Sequence, residues 1–595
     1  MLRDRGLVDA ERWRSEEVGE LPVPTSVQGL ISSRLDRLEG EDKRLAHNAS
    51  VVGAVFWAGA VAHLGAEEGS PPPDPHVGLE TLERRDFVLH SDVSTVAGED
   101  EYAFKHILMR DVAYGQVPKG RRVELHVRFS DWVEILPGSA VDEFVEIVAW
   151  HLEQACRLHR EVARAPIEPP LLEAAEALAN AARRAERREG LHEAERYYTR
   201  ALDVLGDAHT GVQLELRLRR ADIMMMIGRL KEAYDELMEV AEAAPGLDRA
   251  DVECEASLLL GDIDQRQGRA AEAHRRLAEA RSLAAQTDNA YLRSKVAFVL
   301  AALIADFDAE HDRATDSLRA GIATAEEIDD TPLVAEGHLR LAAILYNRGD
   351  LAGAETELRR CLELARDLGS HRVEAEATSW LGIITYYRGD PEEGERLCRQ
   401  ARQWFERTGD TYFQVQNLVR GLAVFALDDD RPDEAETWLR EAVPVALQIG
   451  GWVVVEAYRY LVEALVAQER LDDARELVAF AARNLPEEDA YARSSLLMAE
   501  AIVATATGEA ATVSTAFSES LRLIEELDMP LELAEARMML GRSLSAVGDQ
   551  MGARAELERA RAIFVRLGAT TRQDAIDREL VELVEGPAPA GPSTV

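Results

Sequence analysis

Leu381-Gly382-Ile383-Ile384-Thr385-Tyr386-Tyr387-Arg388-Gly389-Asp390-Pro391-Glu392-Glu393-Gly394-Glu395-Arg396-Leu397-Cys398 carries the grammar that sets the architecture. A small residue, Gly382, is followed across a Gly-Asp break by a second, Gly394, twelve positions on, and then by Cys398 four positions later. The same spacing returns every 39 to 41 residues. The second small position is Ala194, Ala233, Ala273, Ala314, Ala354, Gly394, Ala435, Ala474, Val513 and Ala553, and the first is Ala182, Ala221, Gly261, Ala302, Ala342, Gly382, Ala423, Val462, Ala501 and Gly541. Where two helices cross at about 8 to 10 Å, the facing residues must be small, and a larger one a turn later fills the groove beside them. Glycines in breaks such as Arg348-Gly349-Asp350 and Gln267-Gly268-Arg269 end the first helix with positive φ at little steric cost. Each unit is therefore predicted to be a helical hairpin. A hairpin cannot bury both its faces alone, so ten of them must stack around one continuous core. The expected fold class is all-α, an α-solenoid of about ten hairpins over residues 174–585.

Composition narrows the partners. The 595 residues carry a formal net charge of −41 and only five lysines, which argues against a nucleic-acid or anionic-membrane surface over most of the chain. Cys156, Cys254, Cys361 and Cys398 have neither metal-ligand spacing nor a paired arrangement, as in a reducing compartment. Met1-Leu2-Arg3-Asp4-Arg5 lacks the apolar run of a signal peptide, and the longest apolar stretch, Val51 to Leu64, is too short to span a bilayer. A cytoplasmic location is expected.

The repeat resembles the tetratricopeptide repeat, lengthened to about 40 residues. Leu260-Gly261, Leu381-Gly382 and Leu540-Gly541 are similar to its Leu-Gly pair, and Gly349-Asp350-Leu351-Ala352-Gly353-Ala354 to its turn. Val462, Val513 and Ala309 depart from the pattern. Residues 21–136 follow another plan. Helices are predicted from Thr25, near Glu41–Val52 and near Phe56–Leu64, then a short helix and two short strands, Asp86–Ser91 and Glu101–Phe104. Three helices and a hairpin suggest a winged-helix (α+β) domain. Residues 137–173 are read as linking helices, and 586–595, rich in Pro and Gly, as a disordered tail.

Leu21-Pro22-Val23-Pro24-Thr25-Ser26-Val27-Gln28-Gly29-Leu30-Ile31-Ser32-Ser33-Arg34-Leu35-Asp36-Arg37-Leu38 resembles the stretch after the ATPase core of bacterial STAND-type AAA ATPases. Such modules occur with class III adenylate/guanylate cyclases and in large LuxR-type transcription regulators. Ala49–Trp57, Phe104–Tyr114 and Gly120–His126 are similar to further signatures of that module, and Gly6-Leu7-Val8 with Trp13-Arg14 resembles the end of its lid, making residues 1–20 an expected lid remnant. The resemblance implies the C-terminal half of a signalling ATPase, a non-catalytic regulatory and scaffold module mediating protein–protein interaction. Two alternatives stand beside it: part of an ATP-dependent cyclase or ATPase whose catalytic domains lie upstream or were lost, and a transcription regulator lacking its DNA-binding end.

No Gly-x-x-x-x-Gly-Lys-Ser/Thr loop is present to cradle phosphates, and no cyclase metal carboxylates are recognisable, so no catalytic, cofactor-binding or metal-binding residue is assigned and no enzyme is expected. His106, His126 and Asp111 suggest acid–base chemistry less than structural hydrogen bonding. Residues 1–136 hold 16 Lys/Arg against 24 Asp/Glu, which disfavours DNA at the winged helix. The expected partner is a protein or peptide in the concave groove, with an ATPase or cyclase domain as a further possibility. Registering the units to the tetratricopeptide family puts Leu303, Phe307, Tyr346, Ile383, Tyr386, Tyr387, Val424 and Leu427 on that groove, although longer helices would turn some of them into the core. Glu357 is expected to be a surface charge. The chain is predicted neither to hydrolyse ATP nor to make cyclic nucleotides; calorimetry with ATP and GTP should give no saturable heat, and micromolar binding would refute this.

Overall fold

A residue in the left-handed region closes every hairpin of the repeat array, whether or not it is glycine. The computed structural model describes residues 25–66, 73–137, 143–162, 167–206, 210–483 and 489–585. Positive φ occurs at Glu189, Gly228, Gly268, Ala309, Gly349, Gly389, Asp430, Glu469, Gly508 and Gly548. A side chain there costs about 1 kcal/mol. Ala309, which departs from the repeat's sequence, keeps its geometry with φ 54°, so the helix packing on either side outweighs that strain. Asp330, Asp350, Asp390 and Asp549 cap the helices that follow by accepting a backbone N–H three residues on.

In chain order the first helices are α1 (Thr25–Leu35), α2 (Gly40–Val52), α3 (Ala58–Gly65), α4 (His76–Arg84), α5 (Ile107–Gln116), α6 (Lys119–Glu134) and α7 (Val145–Arg160), with strands β1 (Val55–Trp57), β2 (Val88–His90) and β3 (Glu101–Phe104). Helix pairs follow: α8 (Leu171–Arg187) with α9 (Leu191–Leu205), α10 (Thr210–Met226) with α11 (Leu230–Ala243), α12 (Ala250–Arg266) with α13 (Ala270–Gln286), and α14 (Ala290–Phe307) with α15 (His311–Glu327). Next come α16 (Thr331–Asn347) with α17 (Leu351–Leu368), and α18 (His371–Tyr387) with α19 (Pro391–Thr408). In the seventh pair, α20 (Thr411–Gln416) passes through a π-helical turn, Asn417–Leu422, into α21 (Ala423–Asp428), which pairs with α22 (Pro432–Ile449). The last pairs are α23 (Trp452–Ala467) with α24 (Leu471–Arg483), α25 (Ala490–Thr507) with α26 (Ala510–Glu526), and α27 (Pro530–Ala546) with α28 (Gln550–Leu567), before a closing helix α29 (Thr570–Glu585). The chain is thus an α-solenoid of tetratricopeptide-like hairpins. It divides into two compact units, residues 1–184 with 196–209, and residues 185–195 with 210–595.

In the first unit an antiparallel sheet of order β1-β3-β2 packs among α1–α6. The helix expected from Phe56 starts instead at Ala58, because Val55, Phe56 and Trp57 pair with Ala103, Tyr102 and Glu101. Phe56 stacks on Tyr102 and packs on Phe104, contacts too distant in sequence for helical periodicity to report. The expected lid remnant at 1–20 and tail at 586–595 lie outside the described residues.

In the second unit the small repeat residues Ala233, Ala273, Ala314, Ala354, Ala435, Ala474, Val513 and Ala553 are fully buried, as are Leu237, Leu277, Leu318, Leu358, Leu439 and Phe517 a turn later. The unit also winds back onto itself. Gln267 Nε2 donates to the Ile449 carbonyl at 2.9 Å across 182 residues, and Arg372 N donates to Glu189 Oε1 at 2.6 Å across 183. His311 Nε2 lies 3.2 Å from the Leu527 carbonyl, 216 residues away, which places the ring proton on Nε2. The Thr571 hydroxyl donates to the Tyr386 carbonyl. One superhelical turn therefore takes about five hairpins, and the tight turns of earlier hairpins rest against the loops between later ones. Gly349 shows how close the approach is: with φ +82°, a Cβ there would sit 2.8 Å from Leu567 Cδ2.

Glu357 differs from the expectation. It pairs with His338 Nδ1 at 2.6 Å and is half-buried between α16 and α17. At Gly382 a Cβ would lie 2.8 Å from both Cys398 Sγ and the Gly394 carbonyl oxygen, where α18 and α19 cross. Gly382→Trp is therefore expected to lower stability by about 1 to 3 kcal/mol. Glu363→Ala, which removes an exposed carboxylate held only by Arg360, should stay within about 0.5 kcal/mol. Urea unfolding monitored by circular dichroism measures both; equal shifts would show that the helix crossing lies elsewhere.

Candidate functional site

About every fortieth residue, the largely apolar first helices of the hairpins carry a polar side chain: Glu255, Lys295, Glu336, Glu376, Gln416 and Glu456. The winding of the second unit brings this row to its inner face, where Lys295, Glu336, Glu376 and Gln416 line a cavity of about 360 Å³. The wall is completed by Asp262, Gln265 and Arg266 of α12, Asp306 and Phe307 of α14, Arg340 of α16, Arg372 and Trp380 of α18, and Tyr412 and Phe413 of α20. Trp452, Asp489, Tyr491 and Met529 from later hairpins close it. The volume lies within the range of small-ligand sites, about 300 to 1,000 Å³.

Ion pairs run along and between the helices of the wall. Glu336 takes Lys295 Nζ at 3.1 Å and Arg340 Nε at 2.9 Å, and although burial opposes its charge, these two cations hold its carboxyl down at about 2. Arg266 Nη2 pairs with Asp262 at 2.6 Å and lies over the Tyr412 ring, 4.2 Å from its centroid. Arg420, on the π-helical turn, pairs with Glu456 at 2.9 Å, and Tyr491 donates to the same carboxylate at 2.7 Å. Arg372 pairs with Glu376 and lies 3.7 Å from Asp410 Oδ2. Burial pushes the carboxyls of Glu376 and Asp410 upward against the pull of Arg372. Asp306, bonded to the Gln265 amide, and Asp489, bonded to the backbone N–H of Ala492, are each pushed up by burial to about 6. Uncompensated buried carboxylates cost free energy in their charged form and so hold protons more tightly.

Of the residues the repeat register put on the groove, Phe307 lines the cavity. Tyr346, Ile383, Tyr386, Tyr387 and Val424 come together in one buried cluster. In it Tyr386 stacks on Phe425 with ring centroids 4.1 Å apart and donates to Asp428, while Tyr346 packs on Trp380 and Tyr387. Leu303 is buried in a second cluster, which Phe307 flanks, and Leu427 is half-buried against Ala426, Ala435 and Ala464. The charged wall was not anticipated from the sequence, yet its signal was there: polar residues spaced at the repeat period on helices otherwise suited to burial.

Elsewhere, His126 is fully buried in the first unit, with Tyr114 Oη 3.0 Å from Nε2 and His151 Nδ1 2.9 Å from Nδ1; His106 and Asp111 are exposed. All four cysteines are free and buried, and burial raises the thiols of Cys156, Cys254 and Cys361 to about 11, 12 and 12, which keeps them protonated. Among the described residues no group of three or more metal-ligating side chains forms, and no helix is long and apolar enough to cross a membrane.

No family model and no curated protein matches the chain. Among solved structures, it is similar to a Signal Transduction ATPase with Numerous Domains (STAND) protein with a tetratricopeptide repeat sensor from Pyrococcus horikoshii, at 14% identity and TM-score 0.44, over 76% of this chain and 63% of that one. The chain thus spans less than two thirds of that protein's length. It is also similar to a Rap protein complexed with competence and sporulation factor, at 16% identity and TM-score 0.43 over 69% of this chain and 99% of that one. The apo quorum sensor NprR from B. thuringiensis gives 12% identity and TM-score 0.38 over 63% and 100%.

Glu532, in the first turn of α27, has a buried Oε2 without a hydrogen-bond partner, and burial raises its carboxyl to about 7. A carboxyl raised on folding contributes stability that is complete below its unfolded value near 4.5 and is lost as pH rises through 7. Glu532→Gln, which cannot titrate, should therefore raise the thermal midpoint relative to the parent at pH 8 and leave it unchanged at pH 4.5. Differential scanning calorimetry at the two pH values decides; the opposite pH trend would mean the carboxylate is compensated.

Proposed function

We propose that the chain is a non-catalytic regulatory module of signal transduction whose second unit senses an effector held in the cavity lined by its superhelix. The observation that carries this reading is how the cavity is built: the wall is contributed by successive hairpins and completed by residues of later ones, so a ligand inside touches side chains far apart in sequence and favours the wound form. A 360 Å³ space suits a small molecule or a short peptide segment rather than a folded protein. In this reading occupancy alters how tightly the superhelix is wound and thereby the surface offered to a protein partner, with Phe307 among the residues that meet the effector.

The motif resemblance of residues 21–126 supports placing this sensor in the C-terminal half of a STAND-type ATPase, of cyclase-associated or transcription-regulator lineage, acting in the cytoplasm. The strand and helix order around β1, β2 and β3 is consistent with a winged-helix domain between ATPase and sensor. Such a domain would relay sensor occupancy to the ATPase.

Ala343 lines the cavity, and Ala343→Trp fills it without adding charge. In a thermal-shift screen of a chemically diverse small-molecule and short-peptide library, some members should stabilise the parent chain, by about 2.7 kcal/mol at a hundredfold excess over Kd. The same members should not stabilise Ala343→Trp. A library that stabilises neither protein, or both equally, would refute the lumen as the effector site.

A further inference from the structure

We infer that the group recognised in the cavity is an organic cation, an alkylammonium or guanidinium. The inference rests on the lumen being the effector site and specifies its chemistry. It follows from matching each charge on the wall to its partner. The bases are already committed: Arg266 to Asp262, Lys295 and Arg340 to Glu336, Arg372 to Glu376, and Arg420 to Glu456. Four cavity-lining carboxylates, Asp222, Asp306, Asp410 and Asp489, lie outside these pairs. Asp306 accepts from the neutral Gln265 amide, and Asp489 accepts a backbone N–H. Asp410 is fully buried, its Oδ1 accepts from Phe413 N, and its Oδ2 has no hydrogen-bond partner. The nearest guanidinium, Arg372, stands 3.7 Å from that oxygen while serving Glu376. Among the described residues no lysine or arginine lies within ion-pair distance of Asp306 or Asp489.

An anionic ligand would have to take a guanidinium from its carboxylate and leave that carboxylate buried and unpaired, a heavy penalty. A cation instead supplies the missing partner. The aromatic faces of Phe307, Trp380, Tyr412 and Phe413 on the same wall suit the apolar stem or flat face of such a group. Burial raises the carboxyls of Asp306 and Asp489, as it does for buried acids that have no cationic partner.

The test is isothermal titration calorimetry of the full chain at moderate salt with agmatine, spermidine and the blocked tripeptide acetyl-Gly-Arg-Gly-amide, against succinate and 1,4-butanediol. Asp410→Asn keeps the helix-capping acceptor and Asp306→Asn keeps the acceptor for Gln265, so both variants remove charge without removing a hydrogen bond. The expected result is saturable binding of at least one cationic probe and none of the others, weakened about tenfold or more in each Asn variant and abolished in Ala343→Trp. Binding of the free amines identifies a small-molecule cation as the source, and binding of the tripeptide alone identifies a basic peptide side chain. With a net charge of −41 the outer surface also attracts polyamines, so heat that persists undiminished in all three variants is surface condensation and overturns the proposal. If the cations fail while succinate, butanediol or library members bind in an Ala343-dependent manner, the cation assignment is wrong and the lumen reading stands; if nothing binds there, both fall.

Discussion

The cavity of the second unit depends on the contact between one superhelical turn and the next. A stack of hairpins with an open pitch has a groove; the same stack with its tight turns seated on loops about five hairpins further along surrounds a cavity lined from many hairpins. The seam is made by few and specific interactions: Gln267 on the Ile449 carbonyl, His311 near the Leu527 carbonyl, Thr571 on the Tyr386 carbonyl, and Gly349 against Leu567. Most of these use backbone acceptors at loop ends, so they demand close approach more than any particular partner residue. In the proposed sensor, this link between pitch and cavity is what would let a ligand inside bias the winding.

Enclosure creates a second condition, electrostatic in kind. A lumen walled by helices is a poor place for charge, yet the inner face carries arginines, a lysine and carboxylates from successive units. They are tolerated because most are paired, within one helix as in Arg340–Glu336 or across two as in Lys295–Glu336. In the remainder, Asp306 and Asp489 among them, burial pushes the carboxyls upward. Such a wall spends stability on polarity that an apolar core would not need, and residues that break the rules of burial without compensation are where function is to be sought.

The hairpins were legible because their determinants are local. Small residues twelve apart, a larger one a turn later and a left-handed residue between them fall within one forty-residue window, and the buried row Ala233, Ala273, Ala314 and Ala354 sits where the spacing put it. Ala309 shows the limit of reading residue types alone, since it adopts the glycine conformation without being glycine. β1 was misread as the start of a helix because its pairing with β3 joins residues nearly fifty positions apart. Registering the units by type put Tyr346, Tyr386 and Tyr387 on the inner face, where they are buried with Phe425 and Trp380, while the polar row from Lys295 to Gln416 received no role.

The sequence by itself determined the hairpin, its length and the number of repeats, because helix periodicity, turn chemistry and small crossing residues act between neighbours in the chain. Only the tertiary structure decided that the groove winds into a cavity, which side chains line it and which carboxylates are left without partners. The physical reason is accumulation: the winding is the sum of small rotations at each interface, too slight for any single repeat to report. Whether Asp410 meets Arg372 beneath a roof from Trp452 and Asp489 depends on several of those rotations at once.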